Sequence, residues 1–89
     1  YNIFIKMEVI MADLKFEIVE RIGVLSTKAN NWNKELNIVK WSDYDAKYDI
    51  REWNPDHTRM SKGLTFTEEE LRVLHALIDD ELKQLDSEK

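Results

Sequence analysis

The stretch "NWNKELNIVKWSDYDAKYDIREW", Asn31 to Trp53, decides the fold. Apolar and polar residues alternate through NKELNIVKW and again through AKYDIREW, and only the polar SDYD separates the two runs. A period of two marks half-buried strand, and a short polar connection joins antiparallel neighbours most easily, so the stretch predicts a hairpin. By the same period Leu36, Ile38, Tyr48 and Ile50 share one face, while Asn37, Val39, Trp41, Lys47, Asp49, Arg51 and Trp53 take the other.

Outward toward the N-terminus, LKFEIVE (Leu14 to Glu20) alternates in the same way and reads as a first strand. RIGVLST is expected to bend at Gly23 and continue as a short strand, and KANN then reads as a loop. In the other direction NPDHTRMSKG carries the one proline and the second glycine and reads as a longer loop, followed by KGLTFT as a fourth strand. Thr67 before Glu68, Glu69 and Glu70 matches a capping box, and three acids in a first turn suit the positive end of a helix dipole. A helix therefore starts there. Leu71, Leu74, Leu77, Ile78, Leu82 and Leu85 recur at helical spacing, with Val73 and Ala76 widening the stripe enough to meet both a sheet and a second helix. Strands followed by one helix make the class α+β.

At 89 residues the chain is a single domain, and a domain this small buries only about 60 to 65 % of the surface its unfolded chain exposes, so a partner subunit is expected. We divide it into an N-terminal extension at 1–11, a domain at 12–85 and a polar tail at 86–89. MADLKFEI from Met11 resembles a natural start. The absence of cysteine excludes disulfides and thiolate metal sites and fits a reducing interior. A cytoplasmic location follows, with nucleoid association open. No run approaches the roughly 18 apolar residues of a bilayer span. The net charge of −5 sits wholly in Glu68 to Lys89, because Tyr1 to Thr67 balances ten acids against ten Lys and Arg. An anion feels the field of one face rather than the sum, so nucleic acid is not excluded.

With the helix on the face of Leu36, Ile38, Tyr48 and Ile50, the opposite face is expected to stand open, carrying Trp41, Trp53, Lys47, Arg51 and Asn37, with Trp32 and Lys34 near its entrance. Rings beside cations on an uncovered sheet suit single-stranded nucleic acid, whose bases stack while its phosphates meet Lys and Arg. Core packing or cross-strand pairing of the tryptophans is the alternative. His57 and His75 lack a metal-ligand spacing, Ser61 and Thr65 have no base partner, and Gly63 after Lys62 makes no phosphate-cradling loop. Neither an enzyme, a metal nor a cofactor is expected.

The ordered set FEIVERIGVLS, W.KELN.V.W, KYDIR.W.PDH and M.KG.T.T.EE, from about Leu14 to Leu82, resembles the positive-cofactor-four-like transcriptional coactivator family, in particular its small bacterial YdbC-type branch. The resemblance implies a four-stranded antiparallel curved β-sheet followed by one long C-terminal α-helix. It also implies a homodimer through the helices at Leu71, Leu74, Leu77, Ile78 and Leu82, and binding of single-stranded DNA with little sequence preference. In that family the Arg of IRE and the Lys of KG contact DNA, which are Arg51 and Lys62 here; Trp41, Lys40 and Lys47 match an aromatic and a basic group near the hairpin. The acidic tip SDYDA, Asn54 after Trp53, and the missing Ser- and Lys-rich tail depart from the eukaryotic pattern, so a role in eukaryotic transcription machinery is not carried over. The expected nucleic-acid-binding set is Trp32, Lys34, Asn37, Lys40, Trp41, Lys47, Arg51, Trp53 and Lys62, serving transcription regulation or DNA replication and repair, with transcription or replication proteins as further partners. A single-stranded RNA binder or a dimeric protein-interaction module is the alternative.

Overall fold

The computed structural model describes residues 15–88. The extension at 1–11, the first residues of the domain and the start of the first strand at Leu14 lie outside them. Four strands follow in order, β1 (Phe16–Thr27), β2 (Asn33–Trp41), β3 (Lys47–Trp53) and β4 (Leu64–Phe66), then one helix, α1 (Glu68–Ser87). The sheet order is β1-β2-β3-β4, antiparallel throughout. The α+β class and the central hairpin are borne out, with Leu36 opposite Ile50 and Asn37 opposite Asp49.

β1 differs from its expected form. It is one continuous strand of 12 residues, and in place of a bend at Gly23 it has register shifts at Ile18/Glu20, Arg21/Gly23 and Val24/Ser26. Each shift leaves one residue, Val19, Ile22 or Leu25, without a partner on β2. Bulges bend a strand and increase its right-handed twist, so three in succession curl β1 along the sheet.

The turns use residues that tolerate positive φ. Asn31 (φ 69°) ends the β1–β2 connection, where Lys28 N–H donates to Trp32 O at 2.8 Å. Ser42 (φ 48°) opens the β2–β3 turn and donates its N–H to Lys15 O at 2.6 Å. His57 (φ 59°) closes the turn from Asn54, whose carbonyl accepts its N–H at 3.0 Å.

The capping box forms as expected. Glu70 N–H donates to Thr67 Oγ1 at 3.1 Å, and Thr67 N–H donates to Glu70 Oε1 at 2.8 Å. α1 approaches the sheet chiefly at β3 and buries none of its own residues. Leu71 and Leu74 are half-buried, whereas Val73, Leu77, Ile78, Leu82 and Leu85 are exposed. The helix side of the sheet is correspondingly only half-covered at Leu36, Ile38, Tyr48 and Ile50, with Tyr48 stacked on Phe66 at 6.0 Å.

The core lies instead on the face expected to be open. Val39 and Trp53 are fully buried there, together with Asn37 and Asp49. Two elements close this face. Curled β1 brings Phe16 to within 5.4 Å of Trp53 and 5.7 Å of Trp41, and the 54–59 turn lays His57 on Trp53 at 5.5 Å. The alternation sorted the residues onto faces correctly. What it could not contain is the curl that covers one of them.

Candidate nucleic-acid interface

Residues two apart on a strand share a face, and the closed face uses that twice to satisfy buried charge. On β3, Arg51 grips Asp49 with both edges of its fork, Nε to Oδ1 and Nη2 to Oδ2, each at 2.7 Å. Its third nitrogen, Nη1, donates to Ser61 O at 3.4 Å and touches Met60 Sδ at 3.5 Å. The guanidinium lies 4.5 Å from the ring centre of Trp41, a cation–π distance. Asp49 is fully buried and the Arg51 side chain is 12 % exposed, so the carboxylate keeps its charge only because this partner is in place.

Gly63 permits the arrangement. A Cβ there would collide with Ile50 O and Arg51 Cβ, so only glycine lets the chain after Lys62 approach β3 closely enough to set Ser61 O beside the guanidinium.

On β2, Asn37 donates Nδ2 to Glu35 Oε1 at 3.0 Å, and His57 Nε2 lies 3.0 Å from both oxygens of the same carboxylate. The left-handed backbone of His57 turns its ring inward, which makes it a structural partner of Glu35 as well as a turn residue. Asn54 holds the turn: its Oδ1 accepts from Arg59 N–H at 2.8 Å, and its Nδ2 donates to Thr58 at 3.0 Å. Asp56 accepts from the Thr58 hydroxyl at 2.6 Å and from the Thr58 N–H at 3.2 Å, and these bonds, the hydroxyl's first, hold its carboxyl below the ordinary range. His75 is exposed on α1. Among the described residues no group of three or more His, Cys, Asp or Glu could hold a metal.

The candidate residues divide between two faces. Asn37, Trp41, Lys47, Arg51 and Trp53 lie together on the closed face. Trp53 is 0 % exposed and Asn37 1 %, so neither offers a surface to a ligand in this fold. Trp41 is half-buried, Lys47 is exposed, and exposed Lys62 follows the residue whose carbonyl meets Arg51. Lys34 and Lys40 alternate with Glu35, Asn37 and Val39 and therefore stand on the helix side, where Lys40 Nζ donates to Ser42 O at 3.1 Å. Trp32 is half-buried at the end of the β1–β2 turn.

Two residues outside the expected set belong with it. Tyr44, at the tip of the β2–β3 turn, is 75 % exposed; an aromatic in SDYD was the available signal, and reading that segment only as a polar connection hid it. Arg21 is exposed and faces Asn37 across β1 and β2, a position that follows only once the bulge at Ile18/Glu20 is known.

A family model described as Transcriptional Coactivator p15 (PC4) matches residues 28–77, from the β1–β2 turn through the first half of α1. An uncharacterized protein of Treponema pallidum (strain Nichols) is 39 % identical over 71 residues, which cover 80 % of this chain and 84 % of that one. The chain belongs to the PC4 family. PC4 proteins have a coactivator-type, single-stranded-DNA-binding fold and are nucleic-acid binders rather than enzymes. The PC4 match includes the whole β2–β3 hairpin, the Arg51–Asp49 pair and Gly63. No helix among the described residues is long and apolar enough to cross a membrane.

Proposed function

We propose that this PC4 protein is a homodimeric single-stranded DNA-binding protein, acting in transcription regulation or in DNA replication and repair. The observation that carries the reading is the group around Trp41. A half-buried ring is held by Arg51, and the nearby Lys47 and Lys62 have no carboxylate partner among the described residues. Stacking on a fixed ring with phosphates on unpaired cations is how single strands bind without a base code.

Trp32, Trp41 and Tyr44 serve as stacking rings, and Lys47 and Lys62 as phosphate contacts. Arg51 acts mainly by fixing Trp41, since Asp49 already takes two of its three nitrogens. Lys34 and Lys40 meet a strand only where it wraps past the hairpin onto the helix side. Trp53 and Asn37 support the surface from beneath. The homodimer forms through Leu71, Leu74, Leu77, Ile78 and Leu82, for which the fold of one chain supplies no cover beyond the first two turns of α1.

Anisotropy of a labelled oligothymidine of about twenty nucleotides, titrated at two salt concentrations, tests the reading. Saturable binding that weakens with salt is expected, and Lys47→Ala and Lys62→Ala should each lower the slope of log K against log salt by about 0.7. No binding at either salt would leave a dimeric protein-interaction module as the better account.

A further inference from the structure

The closed face contains one cleft whose chemistry the reading above leaves unused. It has a volume of about 350 Å³ and lies between β1 and the 54–59 turn, lined among others by Arg21, Val24, Glu35, Asn37, Pro55 and His57. Its floor is rich in acceptors. A carboxylate offers about four lone-pair positions, and Glu35 receives one bond from Asn37 Nδ2 and the single proton of His57 Nε2, shared between its oxygens. Asn37 Oδ1 is buried and receives no bond at all. The amide cannot be turned over to relieve this, because its oxygen would then face a carboxylate oxygen at 3.0 Å. The lining also holds exposed Arg21, which has no carboxylate partner among the described residues.

We infer that this cleft takes one nucleotide of a bound single strand, with its phosphate at Arg21 and a guanine base at the Glu35 carboxylate, Asn37 Oδ1 being the further acceptor beneath. The inference rests on the reading of this protein as a single-stranded DNA binder and adds a base preference to it. The floor asks for donors. Thymine presents one N–H between two carbonyls, which a carboxylate repels; adenine and cytosine present one amino group beside a ring-nitrogen acceptor. Guanine alone offers two adjacent donors, N1–H and the 2-amino group, which a carboxylate accepts in parallel as it accepts an arginine fork. In a single strand that edge is unpaired and free to be read. A peptide arginine would also satisfy Glu35, but Arg21 in the same cleft repels a cation and attracts the phosphate that accompanies a base. His57 is a positioning residue: its bond to both oxygens fixes the carboxylate plane.

The test compares three labelled strands of about twenty nucleotides at one salt concentration: oligothymidine, the same strand with every fifth thymidine replaced by deoxyguanosine, and the same with deoxyinosine, which keeps N1–H and lacks the 2-amino group. Isolated guanines avoid the runs that form quadruplexes. The guanine strand should bind at least about fivefold tighter than oligothymidine, the lower end of discrimination for a bidentate base contact. The inosine strand should lose most of that gain. Glu35→Gln should abolish the gain and leave oligothymidine binding unchanged. Should Glu35→Gln fail to fold, Val24→Trp, which fills the cleft from exposed β1 and leaves the Glu35 bonds intact, should abolish the gain in its place.

Equal, salt-dependent affinity for all three strands would overturn the guanine site while the DNA-binding reading stood. Binding of none of them would overturn both. Displacement of the guanine strand by the peptide Gly-Arg-Gly, with no preference for guanine over inosine, would assign the cleft to a protein segment instead.

Discussion

Asp49 carries the largest electrostatic cost in the fold, a carboxylate with no exposure whose charge is answered by one side chain. Breaking such a pair from one side leaves the other charge buried alone, which costs about 3–5 kcal/mol. Arg51→Ala should therefore lower unfolding free energy by that amount in urea denaturation, before any effect on DNA is considered. Arg51→Lys keeps a charge but loses the two parallel bonds and the flat contact with Trp41, so it should also destabilise, by a smaller margin. A variant of Arg51 that loses DNA binding is informative only at a temperature where it is folded. Gly63 belongs to the same unit. Gly63→Ala should cost about 1–3 kcal/mol, as overpacking does, because the obstructing atoms are a backbone carbonyl and a Cβ rather than the end of a flexible chain. Asp56 gives a check on the turn that carries His57. Its carboxyl is held below 3.8 by bonds from Thr58, so the contribution is complete above the unfolded value and is lost as pH falls through the folded one. An NMR titration should place its midpoint below 3.8, and Thr58→Val should raise it.

At the level of elements, α1 starts where a local signal dictates, and the signal is separable from packing. Thr67→Ala removes the acceptor for Glu70 N–H and should cost about 1 kcal/mol in the same denaturation experiment, while Thr67→Ser should cost much less. The helix start, the central hairpin and the sorting of β2 and β3 residues onto faces were all legible in the sequence, because each depends on spacing within a few residues. The covering of the sheet was not. Trp53 was expected on an open surface, and it is buried because Phe16, from a strand with three bulges, and His57, from a turn with positive φ, converge on it. Neither the position of a bulge nor the inward turn of one loop ring is written in hydrophobic period. The same blindness hid Arg21, whose face depends on a register shift, whereas Tyr44 was in plain view between two aspartates.

For the whole molecule, the field and the assembly have to be argued together. The exposed surface of α1 is acidic and partly paired within itself, Arg72 with Glu68 at 2.7 Å and Lys83 with Asp79 at 3.0 Å, so it repels a nucleic-acid strand and leaves the sheet as the surface an anion can approach. Its apolar stripe is the other consequence. Leu77 is 61 % exposed and Leu82 51 %, on a helix of 20 residues that touches its own sheet chiefly at β3. If two such stripes meet in the homodimer proposed above, folding and association are linked, and the melting temperature must rise with protein concentration. Sedimentation equilibrium should give twice the chain mass of 10.6 kDa, and Leu77→Glu with Leu82→Glu should shift it to the monomer and remove the concentration dependence of melting. A monomeric wild type with a concentration-independent melt would overturn the dimer, and DNA binding measured on the double variant would then show whether one sheet suffices to hold a strand.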